Sequence, residues 1–69
     1  MNNTDKTACC IFGLSVNLLI MAVEELIEDT FTGDVDLIEK DLNCTMKAIK
    51  MVKETERNFK IAIGMEVND

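Results

Sequence analysis

The side chains that could do chemistry in this chain fall into three groups. Three thiols stand at Cys9, Cys10 and Cys44. A carboxylate group, Glu24, Glu25, Glu28 and Asp29, runs into the stretch "DTFTGDVD", which adds Asp34 and Asp36. A basic stripe lies further on, at Lys47, Lys50, Lys53, Arg57 and Lys60. Histidine is absent, so the usual general base near neutral pH is missing.

Each group has a modest reading. A thiol near a helix N-terminus is activated by the dipole, so Cys9 or Cys10 could in principle act as a nucleophile. Adjacent helical residues point about 100° apart, so only one of the two faces a given pocket well. Free cysteine is most often a small buried residue, which is the reading taken for all three. An odd count without C-x-x-C spacing supplies neither a disulfide framework nor a zinc site. Bundle metal centres use inward Glu residues with Glu-x-x-His motifs. Here the histidine is missing and the acids sit at a helix end, so they read as a solvated acidic surface. The "DTFTGDVD" stretch lacks the alternating oxygen ligands and closing Glu of a calcium loop. No Gly-rich phosphate loop, G-x-S-x-G or H-E-x-x-H occurs. The expectation is a non-catalytic protein with no cofactor and no metal.

The basic stripe reads first as a wet helix face. Glu56 stands four residues before Lys60, and Glu54 four after Lys50, so part of it is internally compensated. Arg57 is suited to bidentate phosphate contact. No Tyr or Trp interleaves the stripe to stack on bases. The formal net charge of −6 also counts against general nucleic-acid binding. An RNA- or DNA-binding adaptor using this face of helix two is the alternative function.

Two helices must position these groups. Proline is absent, and Leu, Met, Ala, Glu and Lys dominate both halves, which favours helix. The pattern predicts one domain: a helix over about 5–30, a turn over about 31–34, a helix over about 35–63 and a frayed tail over 64–69. Gly33 suits the turn. Thr32, Asp34 and Asp36 are candidate caps for the second helix, and Gly64 is its expected stop. Helix two is amphipathic, with Leu37, Cys44, Ala48, Met51, Val52, Phe59, Ala62 and Ile63 on the face expected to be buried.

Helix one is different. Thr7 to Val23 contains no charged residue, and its large side chains point all round the axis. Such a helix is either a shared core or a membrane span. Seventeen uncharged residues lie between Lys6 and Glu24, at the lower limit for a span. Asn17 sits mid-segment, the C-terminal flank is acidic, and no aromatic belt exists, all of which count against a span. A signal peptide lacks its basic leader and cleavage pattern. A chain of 69 residues also has little core of its own and needs outside stabilisation. The expectation is therefore an all-α, two-helix antiparallel hairpin that dimerises into a four-helix bundle. Ile11, Phe12, Leu14, Val16, Leu18, Leu19 and Met21 would form the dimer core.

Charge placement sets the orientation. Residues 24–41 hold eight acids against Lys40, whereas residues 42–60 hold five bases against Glu54 and Glu56. Antiparallel packing of two hairpins lays each acidic turn beside the other's basic half.

The segment "DKTA", Asp5 to Ala8, is similar to the opening of the first helix in small plasmid-encoded RNA-binding repressors built as four-helix bundles. The resemblance covers four residues. It implies a hairpin dimer that reads RNA with a polar, basic face of helix one. Between Ala8 and Val23 this helix carries Ser15 and Asn17 as its polar side chains.

These features together predict a cytoplasmic homodimer or higher oligomer that binds another protein. Its role would be that of a small regulator, adaptor or inhibitor, of the kind phages and mobile elements encode. The acidic interaction surface would be Glu24, Glu25, Glu28, Asp29, Asp34 and Asp36. It would offer negative charge to a basic partner.

Overall fold

The structure is a computed structural model describing residues 3–65. It holds two helices, α1 (Asn3–Thr30) and α2 (Val35–Ala62), packed as an antiparallel hairpin. The tail expected to fray over 64–69 lies outside the described residues from position 66 onward.

Local sequence explains the ends of the elements. Gly33 takes a positive φ of 72°, a conformation that costs a residue with a Cβ about 1–2 kcal/mol. Asp34 then caps α2: it is extended, and its carboxylate accepts from the Leu37 amide at 3.2 Å. Thr32 braces the turn by donating from Oγ1 to the Asp29 carbonyl at 2.7 Å. At the far end Gly64 is left-handed, with φ of 79°. Its amide donates to the Ile61 carbonyl at 3.1 Å, and the Met65 amide to the Lys60 carbonyl at 2.8 Å. This pair of bonds is a Schellman motif, which satisfies carbonyls the helix leaves open.

The seam between the helices advances by alternating steps of three and four residues. In α1 it runs through Ala8, Phe12, Ser15, Leu19, Ala22, Leu26 and Asp29, all at least half-buried. In α2 it runs through Ile38, Asp41, Thr45, Ala48, Val52, Thr55, Phe59 and Ala62. That spacing keeps one stripe of each helix against the other. Two contacts fix the register. Phe12 stacks on Phe59 with ring centroids 5.9 Å apart, and Ser15 Oγ meets Thr55 Oγ1 at 2.7 Å.

The seam is built from small and polar side chains as much as large ones. Among the described residues, Ser15 and Asp41 are buried and no hydrophobic side chain is. The face of α2 expected to be buried is therefore corrected. Cys44, Met51 and Ile63 are exposed, and Thr45, Thr55 and Asp41 take places in the seam. Two helices that touch along one line cover only part of their apolar surface, and the remaining large side chains lie on the flanks.

Candidate interaction faces and carboxylate site

The flanks carry the large apolar residues, on two opposite sides of the hairpin. On α1, Ile11, Leu14, Leu18 and Met21 recur at steps of three and four, about 100° round the axis from the seam. Leu18 lines a cleft with Met51 and Cys44, and Ile11 lines a second cleft with Ile61 and Asn58. This first face therefore runs across both helices. On the other flank, helical spacing places Ile20, Val23 and Ile27 of α1. The antiparallel register sets them opposite Ile49, Met46 and Leu42 of α2. All of these large side chains on both flanks are exposed.

The seven residues expected to form a dimer core divide between two environments. Phe12, Val16 and Leu19 are half-buried within the hairpin, while Ile11, Leu14, Leu18 and Met21 are exposed along the first face. Gly13 makes no close approach inside the hairpin: a Cβ there would meet nothing within 4 Å. Cys9, Cys10 and Cys44 are exposed free thiols rather than small core residues.

The basic stripe does not form one surface. Lys60 is paired with Glu56 at 3.1 Å. Lys47 lines the cleft beside Leu18 and Met51, about 140° round the helix from Lys60 at 100° per residue. Lys50 and Arg57 lie exposed on the outer side of α2, and exposed Lys53, one residue past Val52, falls on the flank of Met46 and Ile49.

The acidic end is also divided by the fold. Glu24, Glu25, Glu28 and Asp36 are exposed, Asp34 serves as the cap of α2, and Asp29 is turned towards the seam. There Asp29 meets Asp41, whose side chain is 5% exposed. Glu25, Asp29 and Asp41 each bring a carboxylate oxygen within 4.8 Å of the others. A hydrogen bond to Asp41 raises the Asp29 pKa above the ordinary carboxylate range, with partial burial and the Asp41 and Asp34 charges adding to it and Lys40 opposing it. Oδ2 of Asp41 has no hydrogen-bond partner.

Sequence reasoning missed Asp41, Ser15 and Thr55. The signal that marks them is the three-and-four spacing that carries polar residues through the seam. Asp41 falls in step with Ile38 and Thr45, and Ser15 with Phe12 and Leu19.

No family model matches this chain, and neither a curated protein nor a solved structure is significantly similar to it.

Proposed function

We propose that this hairpin is a non-catalytic, cytoplasmic, homo-oligomeric binding protein that acts as a small regulator, adaptor or inhibitor of another protein. One observation carries it: many large apolar side chains lie exposed on two opposite flanks, and no hydrophobic side chain is fully buried among the described residues. Soluble monomers rarely expose contiguous apolar patches of more than a few hundred Å². The first face, Ile11, Leu14, Leu18 and Met21 with Met51 and Ile61, pairs with its copy to make a four-helix bundle. Antiparallel pairing keeps the two acidic turns apart, which selects orientation more than it supplies affinity. The second face and the exposed acids Glu24 and Asp36 remain for a partner with an apolar patch rimmed by basic residues. A light-scattering mass at micromolar concentration tests the assembly. A dimer or larger species is expected, and a monomer overturns it.

One observation favours a second reading. α1 is long and apolar enough to cross a membrane, and of its described residues only Ser15 is fully buried in the hairpin. In that reading lipid, rather than a second copy, covers the flanks of α1. Recovery in the soluble fraction without detergent is the expected result; recovery only with detergent favours the membrane.

A further inference from the structure

We propose that Glu25, Asp29 and Asp41 form a binding site for a hard divalent cation, Ca²⁺ first among them, that clasps α1 to α2 beside the turn. Three carboxylate oxygens converge within 4.8 Å of one another, two from α1 and one from α2. Ligands at about 2.4 Å on opposite sides of a Ca²⁺ stand about 4.8 Å apart, so such a set can close on one ion. A cluster of exposed acids would mean little by itself. Asp41 is different, because it is withdrawn from solvent to an exposure of 5%, it brings one carboxylate oxygen into this cluster, and its Oδ2 has no hydrogen-bond partner.

A buried carboxylate with an open oxygen is costly unless a proton, a cation or a donor meets it. Lys40 acts electrostatically on Asp29, but the open oxygen belongs to Asp41. The ligand set is all oxygen, which selects Ca²⁺, Mg²⁺ or Mn²⁺ over the softer metals. Ca²⁺ accepts irregular and mixed mono- and bidentate carboxylates, whereas Mg²⁺ demands a near-ideal octahedron. Glu25 is exposed, so water can enter from its side and complete the coordination. The last turns of α1 carry the negative end of its dipole, which adds to the attraction. The inference is independent of the partner proposed above, since it concerns one chain and its own turn.

The test uses the full chain freed of metal by chelator and titrated calorimetrically with CaCl₂, MgCl₂ or MnCl₂. Melting temperature is tracked in parallel against KCl of matched ionic strength. Saturable Ca²⁺ binding and a raised melting temperature are expected, with Mg²⁺ weaker. Asp41→Asn should weaken Ca²⁺ binding about tenfold or more. Without metal it should melt at or above the parent chain, so loss of binding is separable from loss of fold. Glu25→Gln, at an exposed position, gives a second loss of affinity that does not depend on the buried site folding. Asp36→Asn, on the outer side of α2, should leave binding unchanged. Absence of binding at millimolar concentration of all three ions overturns the site. So does a Ca²⁺ response that Asp41→Asn and Glu25→Gln leave intact, which would be charge screening alone.

Discussion

Ser15 Oγ lies 2.7 Å from Thr55 Oγ1, joining two residues 40 positions apart across the middle of the hairpin. Each hydroxyl also lies against a carbonyl of its own helix, Phe12 at 2.6 Å and Val52 at 3.1 Å. Each has one proton to give, so the pair shares its donors among these acceptors. Ser15 is 2% exposed, which leaves no room for growth. Ser15→Ala should therefore cost about 1 kcal/mol, the usual net value of one hydrogen bond. Ser15→Leu should cost about 1–3 kcal/mol by overpacking, although leucine is the better helix former and the more apolar. Denaturant unfolding of both variants checks the order.

Phe12 and Phe59 stack with an interplanar angle of 25°, closing the open end of the hairpin. Both rings are half-buried, so truncation should cost less than the roughly 3–5 kcal/mol of a fully buried Phe→Ala change. About 2 kcal/mol is expected for either single variant, by discounting that range for the exposed half. A double-mutant cycle should return a coupling of about 0.5–1.5 kcal/mol, the range for a ring pair in contact. A coupling of zero in the unfolding measurements would mean that the rings do not support one another in solution.

The helices and their turn are legible in the sequence because end signals are local. Asp34 can cap only a helix that begins immediately after it, and Gly33 and Gly64 occupy positions where a Cβ is strained. The seam is less legible. Hydrophobic periodicity assigns Cys44 and Met51 to the buried face of α2, yet both are exposed. The error has a physical source. Periodicity finds the mean direction of large apolar side chains, and on this hairpin that direction is split between two flanks. The line of contact instead mixes alanines, Ala8 and Ala22 with Ala62 and Ala48, and the hydroxyls Ser15 and Thr55 with larger residues such as Phe12 and Phe59. The carboxylate site is hidden for a similar reason. Asp29 reads as one acid among several, and its partner Asp41 comes into reach only when the turn folds α2 back.

The Asp29–Asp41 pair makes stability depend on pH. Asp29 has its pKa raised in the folded chain, chiefly by the hydrogen bond to Asp41. A raised carboxyl binds its proton more tightly when folded than when unfolded. Its stabilising contribution is complete below the ordinary carboxylate value of 3.8 and is lost as pH rises through the raised folded value. In chelator, Asp41→Asn should thus melt higher than the parent chain at neutral pH. That difference should shrink as the pH falls towards the carboxylate range. A gap that stays constant with pH would show that Asp41 does not raise the Asp29 carboxyl.

Gly13 lies within α1 with open space around its missing Cβ. Mid-helix glycine costs about 0.5–1 kcal/mol relative to alanine. Gly13→Ala should raise stability by that amount in thermal unfolding. Gly33→Ala has equal space but a positive φ, and should lower stability by about 1–2 kcal/mol. The opposite signs would separate backbone conformation from packing, since neither new methyl group meets a neighbour.

The two flanks of the hairpin should respond differently to charge. Leu14 is 62% exposed and Met46 59% exposed, so glutamate at either position disturbs little inside a single hairpin. Leu14 belongs to the face assigned to self-association, and Met46 to the face left for a partner. Burying a leucine contributes about 1.5–3 kcal/mol, and a symmetric dimer contains each contact twice. Leu14→Glu should therefore weaken association by about a hundredfold or more and shift the light-scattering mass to the monomer. The hairpin alone has no buried hydrophobic side chain among its described residues, so its melting temperature should fall on dilution. Met46→Glu should keep the mass and the concentration dependence of the parent chain. If both variants dissociate, the assembly buries both flanks and is larger than a dimer. If neither does, the first face is not where two copies meet.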